Sequence, residues 1–141
     1  MTTSNDSNST RTAQVIPWTQ RGPIRAREVE RTLARLLPRI EAGDGAAMLE
    51  GLTAARLWWH EYPRTCEALG LDSCDWLTLG WADLHEAIGR APATGPQALL
   101  AKARIAHWQA AEQWGDCDWM EDLHRTILEG VEAQFREAGH V

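Results

Sequence analysis

The chain has 141 residues and a net charge of −6, with eight tryptophans beside one tyrosine and one phenylalanine. A chain of this length can bury a core without disulfides or metals, and no apolar run approaches the ~18 residues that span a membrane. The polar start MTTSNDSNST lacks the basic and apolar segments of a secretory signal, so we expect a cytoplasmic protein with no membrane partner.

Residues 1–22 are predicted to be a disordered tail and linker, because their polar composition leaves little apolar surface to bury. Within them, Val15-Ile16-Pro17-Trp18 is a short apolar island that either docks on the rest of the chain or is a linear motif for a partner. Residues 23–141 are predicted to form a single helical-bundle domain.

The first and third helices are predicted from apolar residues at helical spacing. The first begins at Pro23 and reaches residue 37 or 40, and Pro38 either ends it or kinks its last turn. The third begins near residue 72 or 73 and ends in the segment from Gly89 to Pro92.

The second helix is predicted to be long, with Asp44 as its N-cap and Gly70 as its C-terminal stop. Pro63 is expected to kink it or to break it in two. Its apolar residues alternate in steps of four and three, which predicts a core seam of coiled-coil type. The seam comprises Met48, Leu52, Ala55, Trp59, Tyr62, Cys66 and Leu69.

The fourth helix begins at Pro96, and Thr94 with Gln97 has the spacing of a capping box. Its wide face, with small residues at the centre, predicts close approach by neighbours and a central place in the bundle. That face comprises Leu99, Leu100, Ala103, Ala106, His107, Ala110, Ala111 and Trp114. A fifth helix follows a cap at Asp116 or Asp118, and its stripe runs to Phe135. The fold predicted is therefore all-α, an antiparallel bundle of about five helices.

The segment Ala91-Pro92-Ala93-Thr94, followed by a glycine and then Ala101-Lys102-Ala103-Arg104, resembles part of a group of short uncharacterised all-helical proteins of alphaproteobacterial genomes and prophages. The resemblance covers roughly residues 75–135. It implies a helical fold and a prophage or other mobile-element setting, and it implies no particular activity.

The spacing of the potential metal ligands and of the cysteines gives weak support to metal or thiol chemistry. Glu121 and His124 make a single Glu-x-x-His pair, whereas di-iron bundles use that pair twice with two further glutamates. We therefore expect no metal and no cofactor. The three cysteines form no CxxC pair, which favours free, mostly buried thiols in a reducing compartment.

Basic residues gather in the first helix. Residues 1–40 hold seven Arg and three acids, net +4, whereas residues 41–141 hold seven basic residues and seventeen acids, net −10. Arg27, Arg31, Arg35 and Arg39 recur every four residues and could contact phosphates. The favoured interpretation is that they pair with the acidic body, whose charge disfavours nucleic acid as a partner because it repels it at long range.

Two tryptophans are predicted to be surface anchors. Trp58 and Trp108 lie off the predicted core stripes, and exposed tryptophans are typical of protein interfaces. Trp59 and Trp81 lie on the stripes and are predicted to be core. Asp116 and Asp118 belong to acidic clusters that could imitate a phosphate array or simply cap a helix.

The sequence thus predicts a small helical protein without enzymatic activity that binds another protein, with homo-oligomerisation possible. The candidate contact residues are Trp58, Trp108, Arg27, Arg31, Arg35, Asp116 and Asp118. Three alternatives stay open: a nucleic-acid binder using the first-helix arginines, an acidic inhibitor of a DNA-handling complex, and a metal-dependent bundle enzyme.

Overall fold

The structure, a computed structural model, describes residues 22–139. These residues form five α-helices and no strand, which confirms the predicted all-α bundle. The helices are α1 (Ala26–Glu41), α2 (Gly45–Leu69), α3 (Asp75–Arg90), α4 (Pro96–Ala111) and α5 (Met120–Glu137). Within the described range, every helix is too short or too polar to cross a membrane. The predicted tail and its Val15–Trp18 island lie outside the described residues.

The central helix is α3, which packs against each of the other four helices. Its glycines make this possible, because a methyl group on Gly80 would lie 2.9 Å from Trp58 Cζ3 and one on Gly89 would overlap the Trp119 indole. The prediction that α4 is central is wrong. Ala103 and Ala110 of its predicted face are exposed. The buried residues of α4 are instead Ala98, Ala101, Lys102 and Ile105.

The predicted boundaries of α2 are confirmed. The Asp44 carboxylate accepts a hydrogen bond from the Ala47 amide at 3.2 Å. Gly70 adopts the left-handed conformation (φ 68°), and the Leu71 amide donates to the Cys66 carbonyl at 3.0 Å. This pairing is a Schellman motif, which satisfies the last carbonyls of a helix and turns the chain. Pro63 lies inside α2 and Pro38 lies inside α1, and neither proline ends its helix.

Two predicted caps are wrong. Gly95 is the N-cap of α4, and Thr94 instead donates its hydroxyl proton to the Gly43 carbonyl at 2.6 Å, which ties the α3–α4 loop to the α1–α2 loop. Trp119 is the N-cap of α5 and no side chain bonds there. Asp118 turns toward Arg90 instead, with an N–O distance of 3.6 Å.

Candidate functional site

An apolar groove lies on the surface between α2 and α3. Trp59, which is 56% exposed, lines this groove together with Tyr62, Pro63 and Thr78. The volume of the groove is about 410 Å³. Residues three and four apart on a helix share one side, so Trp59, Tyr62 and Pro63 form one wall on α2. We call these four residues the Trp59 groove.

A cluster of rings supports the Trp59 indole from behind. The Trp59 ring centroid lies 5.2 Å from that of Trp81 on α3. Trp81 in turn lies 4.4 Å from the ring of His85 and 5.0 Å from Trp114, which it meets edge to face. These separations are those of favourable aromatic pairs. Trp81, His85 and Trp114 therefore form a packed ring cluster against which Trp59 rests.

His85 is fully buried and neutral. Its Nδ1 lies 2.7 Å from the Trp81 carbonyl oxygen. Because a carbonyl can only accept, Nδ1 carries the proton and donates it. Burial lowers the pKa of His85 to about 4, a shift that the bond to the Trp81 carbonyl opposes. Among residues 22–139, neither His85 Nε2 nor the Trp81 indole nitrogen has a hydrogen-bond partner, although both are buried.

Arg56 and Glu112 close the cluster on the α4 side. The two side chains form a two-point salt bridge with N–O distances of 2.9 and 3.3 Å. The Trp114 indole nitrogen donates to the same carboxylate at 2.9 Å. Hydrogen bonds from Arg56 and Trp114 lower the pKa of Glu112. The Arg56 guanidinium also lies 4.2 Å above the centre of the Trp108 ring, a cation–π contact.

The structure exchanges the predicted roles of two adjacent tryptophans. Trp58, predicted to be a surface anchor, is 2% exposed, so that prediction is wrong. Trp59, predicted to be core, is exposed. The reason is that the buried face of α2 passes through Trp58 and includes Gly51 and Thr65, which hydrophobicity alone does not assign to a core. Trp108 is half-buried beneath Arg56.

The basic edge of α1 is partly neutralised. Arg35 pairs with Glu50 at 2.6 Å, and Arg39 pairs with Asp44 at 2.8 Å. Arg27 and Arg31 are exposed, and neither forms an ion pair with another described residue. The structure therefore leaves two of the four predicted arginines open to solvent.

The predicted acidic cluster is also partly occupied. Asp118 and Asp122 both lie near the Arg90 guanidinium, at 3.6 and 2.9 Å. Asp116 is exposed. Hydrogen bonds from Arg125 and Arg90 lower the pKa of Asp122, and Arg125 is the larger cause. These carboxylates therefore tie α3 to the start of α5.

Glu121 and His124, the pair weighed as metal ligands, are both exposed on α5. In the described part of the chain, no three His, Cys, Asp or Glu side chains come together as a metal site. Comparison of the chain with protein-family models, with curated proteins and with solved structures gives no match in any of the three.

Proposed function

We propose that this protein acts by binding another protein and that the Trp59 groove is the contact surface. The observation that carries the proposal is the exposed indole of Trp59 over an apolar groove. A tryptophan side chain has ~200 Å² of largely apolar surface, and leaving half of it in water forfeits about 2–3 kcal/mol relative to burial. A partner that covers the groove would recover that free energy.

The ring cluster makes Trp59 a suitable anchor. Its ring packs against Trp81. Trp81 in turn packs against the buried His85 and against Trp114. A side chain that is already held loses little rotamer freedom on binding, so more of the burial energy appears as affinity. Pro63 leaves a hydrogen-bond acceptor beside the groove. In an uninterrupted helix, the Trp59 carbonyl would accept a hydrogen bond from the amide of residue 63, but proline has no amide proton to donate.

These features define the chemistry of the partner. It would insert one or two aliphatic or aromatic side chains between the rings of Trp59 and Tyr62, and could donate a hydrogen bond to the Trp59 carbonyl. The net charge of −6 favours a partner that is basic around this apolar contact. We also propose that the protein is cytoplasmic and that it comes from a prophage or another mobile element.

Quantitative affinity capture from the native host tests the proposal. The full chain, Trp59→Ala and Leu100→Ala are compared as bait. Leu100 is a matched control because it is an exposed apolar residue on α4, outside the groove lining. We expect one set of proteins to be retained by the full chain and by Leu100→Ala, and at least tenfold less by Trp59→Ala. Equal retention by all three baits would contradict the proposal. If the one protein that Trp59→Ala fails to retain is a second copy of this chain, the contact is self-association.

Nucleic-acid binding is the second candidate, and the exposure of Arg27 and Arg31 is the observation that favours it. The pairing of Arg35 with Glu50 weakens it, because a paired guanidinium must give up its carboxylate to bind a phosphate. Titration of duplex DNA at two salt concentrations separates the two functions. Binding that weakens steeply with salt and is lost in the Arg27→Ala/Arg31→Ala variant would support the second candidate.

A further inference from the structure

Two cysteines meet at the turn between α2 and α3. Cys66 lies in the last turns of α2 and Cys74 is the N-cap of α3, and their sulfur atoms are 2.8 Å apart. Both side chains are buried. The third cysteine, Cys117, lies elsewhere, and its thiol donates to the Gly115 carbonyl at 3.5 Å.

The backbone fixes both thiols. The Cys66 carbonyl accepts the Leu71 amide in the Schellman motif that reverses the chain at Gly70. The Cys74 amide donates to the Tyr62 hydroxyl at 3.4 Å, and the Cys74 carbonyl accepts the Leu77 amide at 3.0 Å as α3 begins. The two sulfur atoms are therefore held together by secondary structure on both sides of a short loop.

We propose that Cys66 and Cys74 form a reversible dithiol–disulfide pair whose oxidant is a low-molecular-weight disulfide such as oxidised glutathione. A disulfide bond is about 2.05 Å long, so the sulfur atoms need only a sub-ångström approach beyond their present separation. This chemistry is independent of the proposed partner binding. The two thiols nevertheless lie close to the Trp59 groove, because Tyr62 lines the groove and its hydroxyl accepts a hydrogen bond from the Cys74 amide.

The order of reaction follows from burial. Cys66 is 8% exposed and Cys74 is fully buried, and burial, with a smaller contribution from the Cys66 thiol, raises the pKa of Cys74 to about 12. The Cys66 thiolate therefore attacks the glutathione disulfide first, forms a mixed disulfide and releases one glutathione. The Cys74 thiolate then attacks Cys66 Sγ and releases the second. Two protein thiols and one oxidised glutathione thus give one protein disulfide and two reduced glutathiones.

The experiment uses the reduced full chain, incubated in glutathione buffers of increasing oxidised fraction, quenched with acid and alkylated with a maleimide. Intact-mass analysis then counts the remaining thiols. We expect the chain to lose the mass of two hydrogen atoms and to retain one reactive thiol of three, with peptide mapping linking Cys66 to Cys74. Reductant should restore all three thiols.

Two variants make the result specific. Cys117→Ser should still form the disulfide, and Cys74→Ser should instead accumulate glutathione on Cys66 because no second protein thiol displaces it. Three reactive thiols at every buffer composition, a linkage to Cys117, or a glutathione adduct that persists on Cys66 of the unaltered chain would each overturn the proposal. The unaltered chain and Cys117→Ser decide the question if Cys74→Ser does not fold.

Discussion

The indole of Trp58 lies directly against the backbone of Gly80, and a methyl group on that glycine would come within 2.9 Å of Trp58 Cζ3. Because Gly80 has no side chain, α3 leaves a space that the Trp58 indole of α2 fills. Because Trp58 points into this space, its neighbour Trp59 is turned about 100° around the helix, toward solvent. This one contact determines which of the two tryptophans can meet a partner.

Replacing the two adjacent tryptophans should have opposite consequences. Trp58→Ala removes a fully buried indole and should lower the free energy of unfolding by about 3–5 kcal/mol through the cavity it leaves. Trp59→Ala should cost less, at most about 2 kcal/mol, since more than half of its surface is already in water and its ring pair with Trp81 is lost. Urea denaturation of both variants measures the difference. Equal losses would mean that Trp59 is part of the core.

His85 should make stability depend on pH. The unfolded chain protonates this side chain near its usual pKa of 6.5, whereas the folded chain keeps it neutral until about pH 4. The unfolded state therefore binds more protons between these values, and the free energy of unfolding should fall as the pH decreases from 6.5 to 4. The full effect is roughly 3 kcal/mol.

The measurement is urea denaturation at pH 7, 5.5 and 4.5 of the unaltered chain, His85→Leu and His107→Leu. His107 is the matched control because it is exposed on α4. His85→Leu should lose less stability than the other two as the pH falls. Parallel pH profiles for all three proteins would show that His85 is already protonated, or accessible, in the folded state.

Lys102 should stabilise the bundle through the end of α3. It is fully buried, and its Nζ donates to the carbonyls of Ile88 and Gly89 at 2.6 and 3.2 Å. Lys102→Met keeps most of the side-chain volume but leaves both carbonyls without this donor, which should cost about 1–3 kcal/mol. Arg104→Met, at an exposed position on the same helix, should cost almost nothing. A Lys102→Met protein as stable as Arg104→Met would argue against this role.

The sequence predicted the parts of the fold that local chemistry determines. Asp44 caps α2 and Gly70 ends it, because a side-chain acceptor and a left-handed glycine are the residues those positions require. The helix count and the lack of strands were also predictable, because both follow from the local spacing of apolar residues. Apolar residues at helical spacing also predicted α1, whose buried residues are Val29, Leu36 and Ile40.

The site was harder to predict because small and polar residues position it. Gly80 carries no hydrophobic signal, yet it decides that Trp58 is buried. Lys102 is charged, so a periodicity argument excludes it from the core, yet it lies at the centre of the buried face of α4. The predicted seam is buried at Met48, Leu52, Ala55 and Cys66. At Trp59, however, the steps of four and three leave the buried face, which passes through Trp58 instead. The eight tryptophans were the signal that some aromatic surface is exposed.

Hydroxyl-radical footprinting of the partner-bound protein tests the central claim most directly. Radicals oxidise exposed indoles fastest, and the buried Trp58 beside the exposed Trp59 provides an internal control within one peptide. In the free protein, Trp59 should be oxidised several times faster than Trp58. Addition of the captured partner should slow oxidation at Trp59 and leave Trp58 unchanged. Unaltered oxidation of Trp59 in the complex would contradict the claim that this groove is the binding surface.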